Sequence, residues 1–308
     1  MANIALDLER ALERRARDGT AGCTTTRWLA GGEGWRVGDV VCTSGPGDRP
    51  YEERHARFTI AMVTAGTFQY RSAAGRELMT PGSLMLGNPG QSFECGHEHG
   101  AGDRCLSFHY DPDYFERLAT DAAARRGPPS AHGTGTGFRA LRLPPLREMS
   151  TCVARSQAAL TGSIGVSWEE LAVQMAALAV RLACGFTPGT GDAPAAAIAR
   201  VTRTVRRIER DPGQDLSLSV LAREARLSPY HFLRTFRRLT GVTPHQYVRR
   251  ARLRVAALRL AADAGRVIDV AFGSGFGDVS NFNHAFRSEF GVSPRAHIAQ
   301  LERACRGR

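Results

Sequence analysis

The chain has 308 residues, long for one hydrophobic core, so two domains are expected. Hydrophobic residues at 43% and charged residues at 23% are the proportions of a folded chain and exclude an intrinsically disordered one. All 41 basic residues are arginine against 30 acids, and the net charge of +11 calls for a polyanionic partner or tolerated self-repulsion.

No segment reads as a membrane span. The longest apolar run, Leu171 to Cys184, has 14 residues and carries Gln174 and Arg181, short of the roughly 20 that a span needs. The first residues are charged (Glu9, Arg10, Glu13, Arg14), without the apolar stretch of a secretory signal. Seven scattered cysteines, an odd number, read as reduced thiols of a cytoplasmic protein.

From Thr24 to Tyr110 the residues have strand chemistry. Short apolar runs (Phe58 to Val63, Phe68 to Tyr70, Leu78-Met79, Ser83 to Leu86, Arg104 to Tyr110) are cut by Gly and Pro, as in a sandwich or barrel. Within this region Cys95, His97, His99, Asp103 and Cys105 crowd together. If a strand from Phe93 continues, residues 95, 97 and 99 share a face. A thiolate with two imidazoles then suits Zn²⁺ or another divalent metal, with Cys105 or Asp103 completing four ligands. A Cys95–Cys105 disulfide is a second reading. Gly96, Gly100 and Gly102 support a third, a His-rich turn with two buried thiols.

Helical periodicity follows Asp111, with helices expected over 113–123, 144–160 and 167–183. In the last of these, Ser167 and Glu170 have capping-box spacing. Its stripe of Leu171, Met175, Leu178 and Leu182 suits either packing on the barrel or a homodimer seam. Phe186 to Pro194 has the composition of a linker. The charge balance changes there: residues 1–194 hold 20 Arg and 21 acids, residues 195–308 hold 21 Arg and 9 acids. Domains are therefore expected over 1–190 and 195–308, the second able to stand alone.

The basic half repeats itself. Ala222, Leu227, Phe232, Phe236, Gly241 and Pro244 recur as Ala271, Phe276, Phe282, Phe286, Gly291 and Pro294, at an offset of 49 and then 50. Each frame reads as a helix-turn-helix. Ser228-Pro229 starts a helix to about Thr240 with Phe232, Phe236 and Leu239 inward. Tyr230, Leu233, Arg234, Arg237 and Arg238 then face out. In the second frame Asp278 caps a helix whose outward set is Val279, Ser280, Asn283, His284 and Arg287. Arg pairs with a guanine edge, Asn with an adenine edge, and Leu or Val with a thymine methyl. Between the frames, Pro244 to Ala261 is one helix with Arg249, Arg250, Arg252, Arg254 and Arg259. It is expected to hold the two recognition helices roughly 34 Å apart, one duplex turn.

These residues reach a family. Ser228-Pro229-Tyr230-His231-Phe232-Leu233-Arg234-Thr235-Phe236, Gly241-Val242-Thr243-Pro244, Ala271-Phe272-Gly273-Ser274-Gly275-Phe276 and Phe290-Gly291-Val292-Ser293-Pro294 resemble the bacterial AraC/XylS-type transcription regulators. The resemblance covers roughly the last 100 residues. It implies that Tyr230, Leu233, Arg234, Ser280, Asn283 and His284 touch base edges. Arg226 stands where the family usually has Gly, and His284 where Arg is frequent. More faintly, residues 81–90 resemble the family's cupin-like sensor domain.

The fold expected is therefore α+β: a cupin-like barrel with flanking helices, then an all-α domain of two helix-turn-helix units joined by a long helix. The function expected is that of a sequence-specific regulator of transcription, not an enzyme. Its partners would be promoter DNA, a small-molecule or metal effector, RNA polymerase and a second copy, and no membrane. The competing reading is a cupin-type metalloenzyme with an appended DNA-binding domain. His97, His99 and Asp103 approximate the cupin metal box, with His55 and His109 as candidates for a further ligand.

Overall fold

A computed structural model describes residues 4–124, 137–186, 193–262 and 265–306. Among them the strands are β1 (Thr24–Gly32), β2 (Trp35–Cys42), β3 (Glu52–Arg54), β4 (Phe58–Gly66), β5 (Phe68–Ser72), β6 (Gly75–Met79), β7 (Leu84–Gly87), β8 (Ser92–Gly96), β9 (Asp103–Tyr110) and β10 (Arg142–Leu143). The α-helices are α1 (Ile4–Asp18), α2 (Pro112–Ala124), α3 (Ser150–Leu160), α4 (Trp168–Ala183), α5 (Ala195–Arg210), α6 (Leu218–Glu224), α7 (Pro229–Thr240), α8 (Pro244–Ala261), α9 (Val267–Gly273), α10 (Val279–Phe290) and α11 (Pro294–Arg306). They fall into two compact units.

The first unit comprises residues 8–144 and 167–192. Two antiparallel sheets face each other, one in the order β1-β2-β9-β4-β7-β10 and one in the order β3-β8-β5-β6. Between them lie Ala61, Val63, Phe68, Tyr70, Met79, Met85, Phe93 and Cys105. Strand β4 is buried on both faces, because α4 packs across β1, β2, β4 and β10. The α4 stripe thus packs on the barrel: Leu171 and Met175 are fully buried, and Tyr110 donates a hydrogen bond to the Ala172 carbonyl at 2.7 Å. Ser167 caps α4 by accepting from the Glu170 N–H.

Among the described residues, the second unit joins 193–306 with 4–7 and 145–166. Charge and composition assign 144–160 to the first domain; the structure packs α3 onto α8 and α10 instead. Ala154 sits in one cluster with Leu253, Ala257, Phe282, Phe286 and Phe290. Ser150 Oγ donates to Glu289, and the Pro145 carbonyl accepts from Arg250 at 2.7 Å. A piece beginning at 195 would lack this layer. The linker core, 187–192, lies outside the described residues.

The repeat is visible in the caps. Ser228 accepts from the His231 N–H and Asp278 from the Asn281 N–H, each at the start of the second helix of its frame. Gly241 and Gly291 end those helices in the left-handed region, at φ +79° and +78°. Thr243 forms a capping box with Gln246 at the start of α8, and Ser293 accepts from the Ala296 N–H at the start of α11. Helix α5 buries Ile198, Val201, Val205 and Ile208 and packs on α7 and α8.

Candidate nucleic-acid interface

Helix α7 buries Phe232 and Phe236 completely, which turns the opposite side to solvent. Tyr230 is 72% exposed, and Arg234, Arg237 and Arg238 are exposed beside it. Tyr230 and Arg234 occupy the first two turns, the part of a recognition helix that reaches base edges. Arg237 and Arg238 lie in the last turn, where cations also complement the helix dipole. Leu233 is half-buried, so only part of it is presented.

Helix α10 repeats the pattern. Phe282 and Phe286 are fully buried, while Ser280, Asn283, His284 and Arg287 are exposed. Val279 departs from the sequence reading: it packs against the core cluster and is withdrawn from the outward set. Asn281 is exposed and, with His284, lines a groove that His245, Arg249, Arg252 and Gly277 complete. Spacing alone missed Asn281, since the inward position one residue on drew attention to 279, 280 and 283 instead.

The arginines of α8 are mostly struts. Arg254, 8% exposed, pairs with Glu209 at 2.5 Å. Arg250 pairs with the buried Glu289 at 3.0 Å. Arg252 donates to the carbonyls of Pro212 and Gln214 at 2.7 and 2.9 Å, and Arg249 donates to that of Ala285. Part of the positive charge therefore holds the two frames on their connecting helix.

The barrel gathers a different set from the one its spacing suggests. Strand β8 ends at Gly96, and a turn follows, so residues 95, 97 and 99 do not share a strand face. His97 turns inward and its Nε2 lies 2.7 Å from Asp103 Oδ1. Cys105 donates to the other Asp103 oxygen at 3.4 Å. Cys42, at the end of β2 directly opposite Asp103 in the ladder, completes a buried triplet with His97 and Asp103. The ligand-type atoms of these three residues lie within 4.8 Å of one another. Burial works to lower the His97 pKa, but hydrogen bonds to Asp103 and Cys42 carry it up to about 9. Burial, the largest single influence, works to raise Cys42, but the hydrogen bond and charge of His97 together with a hydrogen bond from Ser44 hold the thiol below its ordinary value. Burial pushes the Cys95 and Cys105 thiols well up.

His99 is half-exposed and stays outside the triplet, and Cys95 lies at the edge of the barrel core. The six cysteines whose side chains are described are free thiols, Cys95 and Cys105 included. The other imidazoles are engaged elsewhere. His55 stacks on Phe93 and meets the Tyr70 hydroxyl at 2.9 Å, and His109 bonds Ser107 and Thr59.

The family model of an AraC-like ligand binding domain matches residues 40–162. That of a helix-turn-helix domain matches residues 221–300, the stretch that holds both repeats. The two matches together support an AraC/XylS-type regulator. Among curated members, the HTH-type transcriptional activator RhaS of Klebsiella pneumoniae (strain 342) is 35% identical over 97 residues, 32% of this chain and 35% of its own. RhaS of Yersinia pestis (strain Pestoides F) is 40% identical over 68 residues, 22% of this chain and 25% of its own. The HTH-type transcriptional regulator MtrA of Neisseria gonorrhoeae is 27% identical over 95 residues, 31% and 32% of the two chains. The chain thus spans about a third or less of the length of these relatives. No described helix is long and apolar enough to cross a membrane.

Cys42 is the site residue that sequence reading missed. It lies 61 positions before Asp103, and only the β2–β9 register brings the two together. An isolated cysteine closing a strand gives no local signal of that pairing.

Proposed function

We propose that the chain is a transcription regulator that binds duplex DNA through α7 and α10, with the barrel unit receiving an effector. The observation that carries this reading is the pair of like-capped helices, each with an aromatic core side and an exposed Tyr/Arg or Ser/Asn/His/Arg side, on the two frames joined by α8. Arg234, Asn283 and His284 are the base readers, and Arg237, Arg238 and Arg287 hold phosphates. Such a protein works in the cytoplasm on promoter DNA. Its further partners on this reading are a small-molecule or metal effector, RNA polymerase and a second copy of the chain. No catalytic role is assigned.

The test is duplex binding by fluorescence anisotropy at several salt concentrations. The three arginines placed on phosphates should alone lower affinity about 40-fold between roughly 50 and 200 mM salt, and each further contact steepens the fall. An affinity that stays level across that range contradicts phosphate-driven binding.

A further inference from the structure

Four groups with metal-ligand chemistry meet inside the barrel, and the topology explains how. Cys42 and Asp103 are cross-strand partners on β2 and β9, and Cys105 is two residues on along β9, so all three lie on one face. His97 arrives from the opposite sheet, one residue after β8. The close approach beside the cluster requires glycine. Gly66 has φ +76°, and a Cβ there would lie 2.2 Å from the Gly102 carbonyl oxygen and 2.6 Å from Asp103 Cα.

Cys42, His97, Asp103 and Cys105 are each buried to 7% exposure or less. His97 Nδ1 is also buried, without a hydrogen-bond partner.

We propose that the barrel unit binds a zinc ion through Cys42, His97 and Asp103, with Cys105 placed to give a fourth donor. The donor set selects the metal. A thiolate, an imidazole and a carboxylate suit a borderline divalent ion in tetrahedral geometry, whereas Ca²⁺ and Mg²⁺ require oxygen ligands. Charge agrees for the three-residue set, in which the Cys42 thiolate and the Asp103 carboxylate neutralise a dication; a Cys105 thiolate would add one negative charge. The ligand atoms, within 4.8 Å of one another, need only a modest inward movement to reach bonding distance. The proposal stands apart from the DNA-binding reading, because metal content is measured without DNA.

The experiment takes the full chain purified without chelator and counts metal by mass spectrometry. About one zinc per chain is expected, released into a chromogenic chelator when a mercurial blocks the thiols. Cys42→Ser and His97→Gln should each lower occupancy about 10-fold or more. Cys184→Ser, at an exposed thiol on the end of α4, should keep it. Cobalt added to the apo chain should give thiolate-to-metal charge-transfer absorption that Cys42→Ser lacks. Circular dichroism identifies any variant that fails to fold, and Cys105→Ser then replaces it in the comparison. A chain that neither carries zinc nor takes it up on titration overturns the proposal, as does a folded Cys42→Ser that binds zinc as the parent does.

Discussion

Arg226 has φ +54°, the positive value found at no other non-glycine position among the described residues. It closes the turn between α6 and α7, and its counterpart in the second frame is Gly275, at φ +87°. There a side chain is barred as well, since a Cβ would lie 2.7 Å from Gly213 Cα. Arg226 is exposed, so only backbone strain opposes it, about 1–2 kcal/mol for an L-residue in this region. Part of any relief is lost to the greater freedom of glycine in the unfolded chain. Arg226→Gly is therefore expected to stabilise the helical unit by about 0.5–1 kcal/mol in urea unfolding followed by far-ultraviolet circular dichroism; destabilisation would contradict the strain. The internal repeat already aligns Arg226 with a glycine in the sequence. His55 was not legible in the same way. Its burial against Phe93 lowers its pKa from 6.5 to about 4, with the neighbouring His109 adding to the effect. The unfolded chain then binds the proton more readily than the folded one. Stability contributed by neutral His55 is full above about pH 6.5 and is lost as pH falls toward 4, by about 2 kcal/mol at pH 5. Trp28, Trp35 and Trp168 all belong to the barrel unit, so tryptophan fluorescence reports its unfolding. His109 is held down to about 4 by its own burial and titrates in the same window, so His55→Gln, which has no titrating group, should remove about half of that pH dependence; an unchanged profile would assign it to other residues.

At the scale of elements, α8 divides the arginines by task. Arg250 joins Glu289, which Ser150 also holds, and removing the guanidinium leaves a buried carboxylate short of its cation. Arg250→Ala should cost about 3 kcal/mol of stability while leaving the salt slope of DNA binding intact. Arg237→Ala should do the reverse, reducing the slope by about one and leaving stability nearly unchanged. Equal effects on both measurements for both variants would erase the division. Sequence periodicity found α7, α8 and α10 because their apolar positions recur at helical spacing and caps mark their ends. It found β4 and β9 as apolar runs because both faces of β4 and nearly all of β9 are buried. Strand β1 is largely exposed and has no such run, and β10 is two residues defined only by pairing with β7. Their identities depend on partners distant in sequence. The barrel cluster has the same origin: a reading limited to residues 95–105 finds His97, Asp103 and Cys105 but cannot supply Cys42.

For the whole molecule, composition marks where charge changes, and packing marks where a unit ends. The two agree on residues 195–306 as the basic helical part and disagree on 145–166. Helix α3 shows why: Cys152, Val153, Ala154 and Ala158 are buried, a pattern that announces a helix without naming the surface it covers. The central claim is that one chain presents two base-reading helices, and selection of binding sites from random duplex DNA tests it most directly. The parent chain should select two blocks of sequence preference with centres about 10 base pairs apart, one turn of the duplex. Arg234→Ala should relax one block, at about 1–3 kcal/mol, and Asn283→Ala should relax the other. A single block, or two variants that degrade the same block, would contradict the account.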